Sequence, residues 1–347
     1  MTTETAQPVA GSIAAWGKRM AQQVWKGVAA DWGGGPRFLP WGLALVVVSA
    51  VVVAIYYQAM PYVEFDPDTQ AYLNVAAQMA QHGQLVDVVR LPGYPLLIVL
   101  VGATHLAALS VVQAALFVAA VVEVYAILCM ATRRAWLAAT VAGLIGANIH
   151  IISYVKPILS EALTLFFTTT LALAVTLCIR RMSVRRLWAV AISLLALFLT
   201  RPEWIYLPIP LFGYLLLLAW RRGLLRGLAP QALLAAAVLY GVLGLYIAVN
   251  GVQHNFFGIT YVQNINLLGK VMQYGMHDEA PARYADVQHL VDRYMAKGDT
   301  DPWDVIRTPY PPIQRHYYAL AGEYATAIIK EHPVEYLGHS IVLGRDS

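Results

Sequence analysis

Long apolar runs separated by short, arginine-bearing turns dominate this chain, and they leave few ways for it to fold. The runs cover residues 40–57, 108–132, 135–153, 158–179, 187–200, 204–220 and 229–249. A helix that crosses a bilayer needs about 20 predominantly apolar residues, or somewhat fewer where its ends adjust. With 59% hydrophobic and 13% charged residues, the sequence lies well outside ordinary soluble composition. The expected fold is therefore an all-α polytopic membrane protein with about seven spans. The 187–200 run is short and stops at Arg201-Pro202, so it also reads as half of a broken helix with Arg201 and Glu203 facing a protein-lined cavity.

Short cytoplasmic loops retain lysine and arginine, which orients the bundle. With the N-terminus inside, Lys18, Arg19, Lys26, Arg37, Arg133, Arg134, Arg180, Arg181, Arg185, Arg186, Arg221, Arg222 and Arg226 all fall on the cytoplasmic side. Only Glu4 and Asp31 are acidic there, while Asp66, Asp68, Asp87, Glu161, Glu203 and the carboxylates beyond residue 277 lie outside. This predicts a multi-pass protein of the plasma (inner) membrane with an extracytoplasmic working face. Three regions follow: a cytoplasmic N-terminus over 1–39, a membrane module over 40–249 with an outer loop at 58–107, and an extracytoplasmic segment over 250–347. Residues 11–32 have the spacing of an interfacial amphipathic helix.

In the outer loop, residues 66–82 predict a helix along the membrane surface, stopped by Gly83. Asp66 suits its N-cap and Pro67 its first turn, a purely structural pairing. One cap needs one carboxylate, which leaves Asp68 without a structural assignment beyond the helix dipole. Arg90, Lys156 and Arg201 fall on the same outer face, and three such cations suit a phosphate group, although lipid phosphates alone would explain any one of them. Glu161, expected one turn inside its span after Pro157 and Ser160, needs a cavity or a partner. Glu123 is deeper, and suits a structural hydrogen bond to Gln113 or to a neighbouring helix.

Four segments together carry a resemblance: Pro67-Asp68-Thr69-Gln70-Ala71-Tyr72-Leu73, Arg90-Leu91-Pro92-Gly93-Tyr94-Pro95, Ser160-Glu161-Ala162-Leu163 and Arg201-Pro202-Glu203. In order and sidedness, across roughly residues 40–250, they resemble the successive motifs of GT-C glycosyltransferases. The most similar branch is the bacterial relatives of dolichyl-phosphate-mannose protein mannosyltransferases and of the lipid A aminoarabinose transferase. The resemblance implies an enzyme of the cell envelope that uses a sugar on a polyprenyl phosphate as donor and a lipid, glycan or protein as acceptor, with no nucleic acid partner. It implies Asp68 as catalytic base, four residues before Tyr72, and Arg90 and Arg201 beside the donor phosphate. It also implies Glu161 at the substrate cavity. Asp66, Tyr94 and Glu203 are candidate neighbours of that cavity, and Lys156 is a candidate for the phosphate without a firm counterpart. No cofactor is implied with certainty, and a divalent metal is left open.

The residue set suits this chemistry independently. A polyprenyl phosphate departs as a stable anion, so only the attacking hydroxyl needs a base, while arginines stabilise the developing charge. A single displacement would invert the anomeric carbon.

The chain departs from the family in its long outer segment, which ends in Glu335-Tyr336-Leu337-Gly338-His339-Ser340-Ile341 and reads as a shortened member's next approach to the membrane. Tyr284, Val287, Leu290, Val291 and Tyr294 recur at helical spacing, as do Tyr317, Leu320, Tyr324, Ile328 and Ile329. These predict amphipathic helices, with turns between them at Asp299-Thr300-Asp301-Pro302 and Thr308-Pro309-Tyr310-Pro311-Pro312. His277-Asp278-Glu279 could touch a metal, but adjacent polar residues in a loop are usually solvated. Phosphate-loop, dinucleotide, HExxH and zinc-spaced cysteine motifs are missing from the sequence. A lipid-linked sugar flippase or transporter and a non-catalytic membrane subunit stand as alternatives, the first lacking an evident internal repeat.

Overall fold

The computed structural model describes residues 38–102, 105–298, 301–307 and 314–346. The amphipathic helix expected over 11–32 and most of the two turns expected in the C-terminal segment lie outside them. All regular structure among the described residues is helical. The chain divides into two compact units, one of residues 38–83 and 93–240, the other of residues 84–92 and 241–346.

The first unit begins with α1 (Leu39–Ala59), α2 (Thr69–His82), α3 (Gly93–Val101) and α4 (Leu106–Thr132). It continues with α5 (Ala135–Gly146), α6 (Ile149–Val155), α7 (Glu161–Arg180), α8 (Val184–Thr200) and α9 (Pro208–Arg221), followed by the first part of α10 (Leu225–His254). Among the described residues, five stretches are long and apolar enough to cross a bilayer: α1, α4, α7, Pro202–Arg221 and α10. The pair α5 and α6 would make a sixth, bent by 58°. On α1, Leu43, Val47, Val51 and Ile55 form an exposed apolar stripe at four-residue spacing, while Leu45, Ser49 and Val53 are buried. In water such a stripe would be a liability; against lipid tails it is the expected outer face.

Three local expectations change. The 135–153 run is broken, because the Asn148 side chain accepts hydrogen bonds from the backbone N–H groups of His150 and Ile151 and starts α6 afresh. The 187–200 run is a helix of 17 residues, α8, that stops before Arg201-Pro202 as expected but is not among the stretches long enough to cross. Its buried residues Leu187, Val190, Ala191, Leu194 and Leu197 pack in a core with α7, α9 and α10. The outer loop contains an unforeseen apolar helix, α3, which is too short to cross. Gly93 at its start lets it approach the end of α8, since a Cβ there would lie 2.6 Å from the Leu199 carbonyl oxygen.

The second unit contains residues 84–92, the end of α10, α11 (Val262–Gln273), α12 (Ala285–Met295), α13 (Pro302–Arg307), α14 (Gln314–Glu331) and α15 (Pro333–Asp346). Its core joins Ile265, Leu268, Val271 and Met272 of α11 to Val287 and Val291 of α12 and to Tyr324, Ala325 and Ile328 of α14. The predicted apolar faces of α12 and α14 therefore share one core with α11, a helix that the sequence reading passed over. Burial, with Asp292 and Asp278 nearby, pushes the Tyr324 phenol above its ordinary range, so it stays protonated and donates to the His277 carbonyl. The 84–92 segment joins this unit through long-range bonds: Tyr246 Oη donates to the Asp87 carbonyl and accepts from the Asp87 N–H, and the Tyr261 N–H donates to the Val88 carbonyl.

Candidate functional site

In the first unit, the segments around Asp68, Ser160-Glu161 and Arg201 come together at one end of the helices. The helix predicted over 66–82 starts at Thr69 and stops, as expected, at Gly83 in the left-handed conformation. Asp66 lies before it rather than at its N-cap, which is Asp68. The Asp66 carboxylate accepts from the Asp68 N–H at 3.2 Å, and the Asp66 carbonyl accepts from the Thr69 N–H. Its role is nevertheless that of a local turn former, close to the structural role that its sequence position suggests. Asp68 lacks a side-chain capping bond to α2 and is half-buried.

Buried hydrogen bonds fasten this loop to the break between α6 and α7. Thr69 Oγ1 donates to the Ile158 carbonyl at 3.2 Å, and the Ile158 N–H donates to the Glu64 carbonyl. One turn on, the Tyr72 hydroxyl donates to Ser160 Oγ at 3.1 Å. Ser160 stands at the N-cap of α7 without capping it. Tyr72 packs edge-on against Tyr94 with ring centroids 5.0 Å apart. Tyr94 donates to Gln113 Oε1 at 2.8 Å, and Gln113 Nε2 donates in turn to the carbonyls of Val155 and Pro157. Gln113 thus satisfies the backbone freed where α6 ends, in a largely buried segment.

Lys156 occupies the same break. It is buried, with Nζ 3.0 Å from Glu64 Oε1 and 5.9 Å from the Tyr56 ring centre. A buried ammonium must be paired, and Glu64 is the pair. Lys156 is therefore committed to holding the loop, and the sequence reading overlooked Glu64 although it precedes the Asp66–Tyr72 motif by two residues.

Glu161 is the first residue of α7, not a turn inside it. Its Oε1 meets Arg201 Nη1 at 3.3 Å, and Arg201 Nε meets Glu203 Oε1 at 3.5 Å. Arg201 follows the end of α8, so two carboxylates orient one guanidinium where α7 starts and α8 stops. Glu161 Oε2 is buried and accepts no hydrogen bond among the described residues. Such an oxygen is costly to leave unmet. Glu203 is exposed.

Arg90 belongs to the second unit. There the Asp87 carboxylate accepts from the N–H groups of Val89 and Arg90 and shapes the turn that carries Arg90. Glu123, read as structural, takes hydrogen bonds from the hydroxyls of Thr169 and Thr170 on α7, and Gln113 is engaged elsewhere. No protein-family model, curated protein or solved structure matches this chain.

Proposed function

We propose that this chain is a membrane glycosyltransferase of the GT-C kind, transferring a sugar from a polyprenyl-phosphate donor to an acceptor hydroxyl on the extracytoplasmic face. The observation that carries the reading is the meeting, in one unit, of three motifs far apart in sequence: Thr69 and Tyr72 with Ile158 and Ser160, and Glu161 with Arg201. Packing alone asks for apolar contacts at that junction, whereas this chain spends buried polar groups on it.

In this reading Asp68 takes the proton of the acceptor hydroxyl as its oxygen bonds to the anomeric carbon. The bond from that carbon to the phosphate oxygen breaks in the same step, the polyprenyl phosphate leaves as an anion, and the configuration inverts. No general acid is needed for such a leaving group. Arg201, aimed by Glu161 and Glu203, supports the phosphate charge, and the partly exposed Glu161 carboxylate lies at the substrate cavity. Lys156 and Glu64 hold the loop. The assignment of Arg90 to the phosphate rests on the sequence resemblance alone.

Mass spectrometry of lipid that copurifies with the chain tests the donor. A polyprenyl phosphate, bare or glycosylated, is expected, and its occupancy should fall in Arg201→Lys because lysine cannot reproduce the guanidinium fork. A preparation with no such lipid, in which added polyprenyl phosphate binds equally well to Arg201→Lys, contradicts the assignment. A flippase would bind the same lipid without ever releasing polyprenyl phosphate from it.

A further inference from the structure

Three side chains from separate segments of the second unit converge away from the residues considered so far. Glu279 sits in the turn after α11, where its N–H bonds to the Met276 carbonyl. His332 sits at the break between α14 and α15, its N–H bonded to Ile328 and its carbonyl accepting from Tyr336. Glu335 lies in the first turn of α15. His332 Nδ1 is 3.6 Å from Glu279 Oε2 and 3.9 Å from Glu335 Oε2, and one ligand atom from each residue lies within 4.8 Å of the others.

Two readings compete. His332 could be an imidazolium between two carboxylates, but both contacts are longer than a hydrogen bond. Glu279 Oε2 is moreover shielded from solvent and accepts no hydrogen bond among the described residues. A buried carboxylate oxygen left in that state is expensive, and a cation between the three groups would satisfy it directly. Ligands around a tetrahedral ion with bonds of about 2.0–2.2 Å stand roughly 3.3–3.6 Å apart, so small side-chain adjustments suffice here.

We propose that Glu279, His332 and Glu335 bind one divalent transition-metal ion. One imidazole nitrogen with two carboxylates suits Zn²⁺ better than Mg²⁺ or Ca²⁺, which prefer oxygen alone. His339 supports the site without being counted as a ligand. Its Nε2 lies 3.8 Å from the other oxygen of Glu335, and its ring stacks on Tyr274 at 5.5 Å between centres, which orients that carboxylate. Three protein ligands leave a fourth position for water. The ion ties the turn after α11 to the α14–α15 junction, closing a long chain loop within the unit. Of the sequence triplet His277-Asp278-Glu279 only Glu279 takes part, since His277 Nε2 faces Asp292 Oδ1 at 3.8 Å. This site is independent of the glycosyltransferase reading.

The test uses the full chain in detergent, stripped with chelator and titrated with Zn²⁺, followed by calorimetry and thermal unfolding. One ion per chain and a rise in the unfolding midpoint are expected. His332→Gln and Glu335→Gln should each weaken binding roughly tenfold or more and remove the midpoint shift, while His277→Gln should keep both. Co²⁺ loaded into the unaltered chain should give the intense visible bands of a tetrahedral site, a readout that needs no variant to fold. Featureless Co²⁺ spectra, equal binding by His332→Gln, or equal affinity for Mg²⁺ would overturn the assignment.

Discussion

The two ends of the first unit handle charge in different ways. At one end, arginines donate to carbonyls in the last turns of helices: Arg180 to Met130 at 3.1 Å, Arg186 to Leu177 at 2.9 Å, and Arg222 to Ile179. Basic residues at helix C-termini and in short loops meet both the dipole and the sidedness of a membrane protein. At the other end the polar groups turn inward. Lys156, Thr69, Ser160 and Gln113 are buried there, and each bonds to a chain segment remote in sequence. The first end needs only charge at a surface, so it tolerates change. The second end is specified group by group, which is what a site for directed chemistry requires.

Removing one group from each end sharpens that contrast. The largest stability effect is expected for Glu64→Leu, which leaves the Lys156 ammonium buried without its carboxylate. Because Glu64 is itself 37% exposed, the cost should be about 1–3 kcal/mol in an unfolding measurement, below that of breaking a fully buried pair. Glu64→Leu combined with Lys156→Met should regain part of that loss. Tyr72→Phe removes one buried hydrogen bond to Ser160 and should cost about 0.5–1.5 kcal/mol. A double-mutant cycle with Ser160→Ala should show coupling between them, and strict additivity would mean that the contact does not fasten the loop. The smallest effect belongs to the arginine end: Arg222→Ala should change stability by no more than about 0.5 kcal/mol. A loss there as large as that from Glu64→Leu would erase the distinction.

Much of the fold could be read from local signals. Gly83 stops α2, Val287 and Val291 face the core of the second unit, and so do Tyr324 and Ile328. Periodicity and a left-handed glycine are properties of neighbouring residues, so a sequence displays them. Glu123 was likewise legible as structural, because a carboxylate deep in an apolar run must find donors nearby. What escaped was non-local or overruled by one side chain. Nothing in the order of residues says that Lys156 pairs with Glu64, or that Asp87 and Val88 bond to Tyr246 and Tyr261 and so place residues 84–92 in the second unit. The apolar run from 135 to 153 masked its own break, since a single Asn148 amide outweighs the periodicity around it. The candidate residues Asp68, Tyr72, Glu161 and Arg201 were picked out by motif. The bonds that hold the surrounding segments, Glu64 to Lys156, Thr69 to the Ile158 carbonyl and Gln113 to the Val155 and Pro157 carbonyls, were not, because they are recognised only when the partner segments meet.

The most direct test of a catalytic role for the polar end is release of polyprenyl phosphate from a polyprenyl-phosphate sugar by the purified chain, with Asp68→Asn and Asp66→Asn compared side by side. Asp68→Asn removes a proton acceptor at nearly constant shape, so the rate should fall roughly a hundredfold or more while donor binding persists. Asp66→Asn should be mild, because an asparagine oxygen accepts from the Asp68 N–H as an aspartate does. Unchanged release in Asp68→Asn would contradict the assignment of the base, and no release by the unaltered chain with any acceptor would remove the transferase reading in favour of binding or transport.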